Sequence, residues 1–144
     1  MNLSPRLNAV VNALPLHEGI RVLEIGCGTG VAAKEIVQRI GHGFLLGIDR
    51  SAKAIQQSEK NAAAEVKTGK LEFLQVAVED FELPAGMPLF DIAFAIRVGA
   101  LDGRHPQLEA SALTCIARAL TKKGRLFIDG GNPLKELPIR AFLY

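Results

Sequence analysis

At 144 residues, with 49% hydrophobic and 22% charged positions, the chain has the length and apolar content to bury one ordinary core beneath a solvated surface. Its formal charge of +2 neither implies nor excludes nucleic acid, the densest basic run being Lys122, Lys123 and Arg125 beside an expected helix end, and its longest stretch without Asp, Glu, Lys or Arg, Leu7 to His17, is too short to cross a bilayer. Cys27 and Cys115 stand apart without a CxxC or His-rich neighbour, so no metal or disulfide is expected; Met1 to Arg6 lacks a secretory pattern, and the cytoplasm is the expected compartment.

Ser4 before Pro5 is a helix-start signature, since the hydroxyl caps free amides and proline needs no amide at the first helical position. A short helix to about Leu14 follows. Arg21 to Ile25 reads as a strand that ends abruptly in glycines, and Val31 to Ile40 as a helix with Val31, Ile36, Val37 and Ile40 on one face. The unit recurs: Phe44 to Ile48 as strand, a helix capped by Ser51 and running to about Thr68, then Leu71 to Val76 as strand. Phe90 to Ile96 is a fourth strand, Pro106 to Leu120 a helix striped by Leu108, Ala112, Ile116 and Ala119, and Arg125 to Asp129 a fifth strand. Beyond Gly130, Pro133 and Pro138 interrupt the chain, and Ile139 to Tyr144 is the expected last short strand. Strands alternating with helices predict an α/β fold, a doubly wound and mostly parallel sheet with helices on both faces. No repeat or linker divides it, so residues 1–144 are expected as one domain: a lead-in over 1–19, a core over 21–129 and a short segment over 130–144.

In such a sheet ligands bind beyond the carboxyl ends of the strands. Strand one ends in Glu24-Ile-Gly26-Cys27-Gly28-Thr-Gly30, whose alternating glycines let backbone amides approach a ligand next to a helix N-terminus. Strand two ends in Asp49, 19 residues beyond Gly30, the usual place for a carboxylate that accepts from the two hydroxyls of a ribose. An adenosine group is implied.

Here the sequence resembles the class I S-adenosylmethionine-dependent methyltransferases. Val22-Leu-Glu-Ile-Gly-Cys-Gly-Thr-Gly30 matches their glycine-rich signature, Gly47-Ile-Asp-Arg-Ser51 their ribose segment, and the likeness continues through Val76–Asp80, Leu89–Asp91 and Leu120–Ile128, in the family's order. The resemblance implies S-adenosylmethionine as cofactor and a Rossmann-like methyltransferase fold. That fold is shortened at its C-terminus, because the family usually adds two strands after the fifth. Carried over, it gives Glu24 the cofactor's ammonium, the backbone near Gly26 and Gly28 its methionine part, with Cys27 and Gly30 in the same loop, and Asp49 the ribose. Glu79 stands near the adenine amino group with Val78 alongside and Asp80 as the register alternative, while Ile48 and Arg50 flank the ring. Arg97, Asp102, Arg104 and His105 follow strand four, where the family positions its acceptor. Arg97 is counted at the cofactor as well, and Arg97, Asp102 and His105 are the catalytic candidates, His105 or Asp102 as base where the acceptor must lose a proton early.

A dinucleotide site is the competitor, since Gly28-Thr-Gly30-Val-Ala-Ala33 fits GxGxxA. Counted from Gly26, however, the third small residue falls on Val31, and Glu24 beside a pyrophosphate is repelled. Structural readings remain for single residues: glycines that only turn the chain, Cys27 as packing, Glu79 as a solvated carboxylate. The family's Asn-Pro-Pro-Tyr motif is absent, the chain reading Ile96-Arg-Val-Gly-Ala100, which disfavours base or glutamine-amide methylation. The expected activity is methyl transfer by in-line displacement to an unidentified acceptor, with a small molecule favoured. The alternatives are a cofactor-binding but inactive partner domain and a nucleotide-dependent oxidoreductase. An exposed edge on strand five is expected to be covered by a terminal strand or by a second copy in a homodimer.

Overall fold

Alternation along the strands decides how this sheet is covered. The computed structural model describes residues 3–142. In chain order they form α1 (Pro5–Ala13), β1 (Arg21–Ile25), α2 (Val31–Val37), β2 (Phe44–Asp49), α3 (Ala52–Asn61), α4 (Ala63–Lys67), β3 (Leu71–Gln75), β4 (Phe90–Ala95), α5 (Glu109–Ala119), β5 (Leu120–Asp129) and β6 (Leu134–Leu137). The six strands lie in the order β3-β2-β1-β4-β5-β6, the first five parallel and β6 antiparallel to β5. Val22, Leu45, Ile92 and Phe94 face a cluster completed by α1 and α2, whereas Leu23, Leu46, Ile48, Ala93 and Ala95 face one completed by α5. The central strands β1, β2 and β4 are therefore buried on both faces, which is why these segments read as nearly unbroken hydrophobic runs, whereas the edge strand β3 exposes Glu72, Leu74 and Gln75.

The elements begin and end where side chains dictate. Ser4 Oγ accepts the Leu7 amide at 3.2 Å with Pro5 at the first helical position, and Ser51 Oγ accepts the Ala54 amide at 3.1 Å to start α3. Across the start of β1, the Arg21 amide donates to Asp91 Oδ2 at 2.9 Å, and its guanidinium donates to the Leu89 and Pro88 carbonyls while lying over the Phe44 and Phe90 rings. β1 and β4 are thus tied at their amino ends, and they diverge to different crossovers at their carboxyl ends. The strand order reverses there, so that is where a crevice opens.

Four expectations change in detail. The helix expected from Ser51 to about Thr68 is two helices, because Ala62 leaves helical geometry (φ −114°, ψ 28°) and is fully buried, although its own amide and carbonyl keep their helical partners. The helix from Pro106 opens as a 3-10 turn, Pro106–Leu108, before α5. β5 starts at Leu120, with an irregular register before Arg125 meets Ile92. The last strand is Leu134–Leu137 and not Ile139 to Tyr144: Pro133 and Pro138 bracket the four residues that pair, which an edge strand tolerates. Of the expected segment, Ile139 is buried, Arg140–Phe142 form a 3-10 turn, and Leu143 and Tyr144 lie outside the described residues. With β6 on its edge, β5 does not call for a second copy. Among the described residues no helix is long and apolar enough to cross a membrane.

Ile36 is fully buried between α2 and the sheet, whereas Leu89 is 42% exposed. In urea denaturation, Ile36→Ala is expected to lower stability by about 2–5 kcal/mol, and Leu89→Ala to stay within about 0.5 kcal/mol of the parent.

Candidate functional site

Five residues turn the chain from β1 into α2, and three amides and two carbonyls of that turn find partners in β2 and α3. The Gly26 and Cys27 amides both donate to the Ile48 carbonyl, at 2.8 and 3.0 Å. The Gly28 amide donates to Asp49 Oδ2 at 3.0 Å, while Asp49 Oδ1 accepts the Ser51 amide at 2.9 Å. From α3, Ser58 Oγ donates to the Gly28 carbonyl at 2.6 Å and Asn61 Nδ2 to the Thr29 carbonyl at 3.1 Å. Gly30 caps α2 at φ +83°, and a Cβ on it would meet the Cα and Cβ of Ser58 at 3.1 Å, so both conformation and space demand glycine. Gly28, at φ +55°, would point a Cβ into open space, which leaves the loop's outer surface bare backbone.

Two adjoining cavities of about 310 Å³ each lie beyond the strand ends and share Gly26, Ile96 and Arg97. The first runs from Asp49 and Arg50 past Val76–Glu79 to the loop after β4, where Val98, Ala100, Arg104, His105 and Leu108 form its far wall. The second is walled by Glu24, the glycine loop and the start of α1, including Ser4, Arg6 and Leu7. Each lies at the lower end of the range usual for small-molecule sites.

Glu24 is the electrostatic anomaly of the molecule. Only 5% of its surface is exposed, and its Oε1 is buried without a hydrogen-bond partner among the described residues. Burial, with the nearby Asp49 charge as a lesser cause, pushes its carboxyl up to about 8. Such a group favours its neutral acid in the empty fold and its charged form beside a cation. Cys27 borders the same cavity, but its thiol is engaged with Ser58 Oγ at 3.8 Å, and burial pushes it up to about 12, far from a reactive thiolate. Gly47 makes room for it, since a Cβ there would lie 3.1 Å from the Cys27 Cβ.

At the shared wall, Arg97 takes φ +58°, the one positive φ among the described non-glycine residues. Both its backbone groups are held: its amide donates to Asp129 Oδ1 at 3.2 Å, and its carbonyl accepts from the Arg104 guanidinium at 2.6 Å. Asp129 Oδ2 in turn pairs with Arg6 of α1 at 3.1 Å, and Asp102 holds Arg104 through Nε at 2.9 and 3.1 Å. The Arg104 guanidinium keeps the Asp102 carboxyl below its usual range, so Asp102 is a poor base as it stands. His105 lies against Gly99, where a Cβ would come within 2.5 Å of its ring, and it borders the first cavity.

Of the residues singled out from the sequence, Glu24, Gly26, Cys27, Gly28, Asp49, Arg50, Val78, Glu79, Arg97 and His105 line the two cavities. Gly30 supports the loop from behind, and Asp102 acts on the wall through Arg104. Asp80 is not among the residues that line the crevice: within the 3-10 turn Val78–Asp80, Val78 and Glu79 line it, while Asp80, with Glu79 again, lines a separate cavity beside Cys115 and Arg118. Ser58, Asn61, Asp129 and Arg6 were missed. Ser58 carried a signal, a polar residue in the stripe Ile55, Ser58, Ala62 that is otherwise buried and apolar. Among the described residues no group of three or more His, Cys, Asp and Glu side chains is placed to hold a metal.

The fold recurs in a SAM-dependent methyltransferase from Thiobacillus denitrificans, solved in complex with S-adenosyl-L-homocysteine, at a TM-score of 0.66 and 21% identity over 88% of this chain and 48% of that one. Among curated proteins, the chain is 34% identical over 129 residues to the O-methyltransferase rstn1 of Aspergillus nomiae, covering 85% of this chain and 53% of that protein. It is 36% identical over 130 residues to an O-methyltransferase of Pyrenophora dematioidea, covering 86% and 46%. The chain therefore spans about half the length of these curated relatives. With residues 16–142 matched by the family described as a methyltransferase domain, the chain belongs to that family.

Proposed function

We propose that the chain binds S-adenosylmethionine across the two cavities and transfers its methyl group to an oxygen of a small acceptor. The observation that carries this reading is the buried Glu24 carboxyl, whose Oε1 has no partner among the described residues, in a cavity walled also by the glycine loop and the start of α1. An α-ammonium beside Glu24 supplies the missing charge, and the loop carbonyls, each able to accept a further hydrogen bond, suit the same group. Asp49 uses one lone pair of each oxygen on Gly28 and Ser51, and the remaining pairs accept from a ribose. Glu79 and Val78 line the adenine end, with Ile48 and Arg50 flanking. A dinucleotide fits less well, because Glu24 would face a pyrophosphate.

Bound there, the cofactor supplies a methyl group already activated by positive sulfur. The protein's task is then to hold the acceptor oxygen in line with that methyl, and the loop after β4, pinned through Asp129 and Arg104, is the rigid element facing it. Oxygen is the acceptor atom of the two curated relatives by their names. The cytoplasm remains the proposed compartment, in keeping with two cysteines that are free in the structure.

Isothermal titration with S-adenosylhomocysteine is expected to show binding that Asp49→Ala weakens by about tenfold or more, while NAD and NADP show none; dinucleotide binding instead would overturn the reading. Glu24 also makes binding a proton-releasing event. Near pH 7 the free protein holds Glu24 largely protonated, and an ammonium draws the charged form. Titrations in phosphate and in Tris should therefore differ in heat by the release of up to about one proton per site, and Glu24→Gln should abolish that difference.

Stability carries the opposite signature. A carboxyl raised from 4.5 to about 8 on folding binds more protons in the folded than in the unfolded chain, so the ligand-free protein loses stability as pH rises from about 4.5 to 8 and levels off above. Thermal melts should show Glu24→Gln more stable than the parent at pH 8, with the advantage fading toward pH 5. Equal melting temperatures across that range would rule out a buried ionisable Glu24.

A further inference from the structure

The far wall of the first cavity carries chemistry that cofactor binding leaves unused. Once the adenosine end occupies Asp49, Val78 and Glu79 and the ammonium end lies at Glu24, the remaining space is bounded by Val98, Ala100 and Leu108 on its apolar side and by Arg97, Arg104 and His105 on its polar side. Glu24 and Glu79 face the cofactor in the proposed reading, and the other carboxylates near this wall are committed within the fold. Asp102 is spent on the Arg104 guanidinium, Asp129 on Arg6 and the Arg97 amide, and Asp49 on two loop amides. The Arg97 guanidinium, in contrast, makes no hydrogen bond or ion pair among the described residues, although its backbone is clamped on both sides in a left-handed conformation. Left-handed φ at a non-glycine residue costs energy and persists only where surrounding contacts over-determine it. Here two such contacts hold Arg97 at the wall where the two cavities meet.

We propose that Arg97 is a specificity-determining residue and that the acceptor is a small carboxylate-bearing molecule, its anionic group read by the Arg97 guanidinium and its apolar part resting on Val98, Ala100 and Leu108. This rests on the methyl-transfer reading for the position of the cofactor. The electrostatics point one way. A sulfonium and a guanidinium that share a cavity repel, a cationic acceptor adds to that repulsion, and an anion between them relieves it. Guanidinium and carboxylate also match geometrically, two N–H groups to two oxygens. An acceptor that arrives ionised needs no base where the carboxylate oxygen itself is methylated: its lone pair forms the C–O bond, the C–S pair returns to sulfur, and an ester and a neutral thioether leave. That removes the need for Asp102 as a base, a role its pairing with Arg104 opposes.

The test is a charge series of near-equal shape, benzoate, benzyl alcohol and benzylamine, added to the protein with and without S-adenosylhomocysteine and followed by ligand-observed NMR. Benzoate should bind about tenfold tighter than benzyl alcohol, with benzylamine weakest. Arg97→Gln should bring benzoate and benzyl alcohol together, and Arg97→Lys should restore most of the gap, a rescue that a purely structural role for Arg97 would not produce. Intermolecular contacts from the benzoate ring to the Val98 and Leu108 methyls locate the site without any substitution, should a variant fail to fold. Equal binding across the series, no benzoate binding up to millimolar concentration, contacts elsewhere, or a preference unchanged in folded Arg97→Gln overturns the proposal. Failure of S-adenosylhomocysteine to bind would count against methyl transfer, while the series on the unliganded protein still decides the Arg97 preference.

Discussion

A chain leaving a central parallel strand must turn back across the sheet to begin its crossover helix, and between Ile25 and Val31 it does so with its backbone fastened to two other elements, β2 and α3. Ile48 at the end of β2 takes two amides, Asp49 a third, and Ser58 and Asn61 of α3 bind two carbonyls. The close approach of Ser58 to Gly30 leaves no room for any side chain there. Because these contacts come from β2 and α3, the loop's shape depends on the whole β1-α2-β2-α3 unit being assembled. Its inner side is therefore held by β2 and α3, while Gly28 leaves open space on its outer side, as a surface that receives a ligand requires.

The same assembly creates an electrostatic imbalance with a direction. Alternation along β1 sends Glu24 to the face covered by α1 and α2, at the strand end where the helices no longer supply a partner. Burial there favours the neutral acid, so the ligand-free fold gives up stability that a bound cation restores. Across the crevice the imbalance has the other sign. The chain Arg6–Asp129–Arg97–Arg104–Asp102 pairs its charges until one guanidinium remains. A site with an unmatched carboxylate in one lobe and an unmatched guanidinium at the junction has a polarity built into it, cation at one end and anion at the other.

Much of this was legible in the chain itself. The apolar runs of β1, β2 and β4 are visible because strands buried on both faces leave no polar alternation, and Ser4-Pro5 and Ser51 announce helices because their capping is local. Less was visible where the outcome depended on partners far away. The break at Ala62 follows no proline or glycine, and the terminal strand fell between two prolines that read as interruptions. The choice between Glu79 and Asp80 turned on a three-residue 3-10 turn with no sequence signature of its own.

By itself the sequence determined the order of elements, the glycine turn after β1 and the carboxylate after β2, since these follow from periodicity, capping and the absence of side chains over a few neighbouring residues. Only the tertiary structure decided that Ser58 and Asn61 hold that turn, that Asp129 ties α1 to the loop after β4, and that Arg97 and Glu24 are left with unmatched charge. Those outcomes depend on residues from 30 to 123 positions apart being brought within hydrogen-bond reach, and whether a buried charge finds a partner is known only after every other element has taken its place.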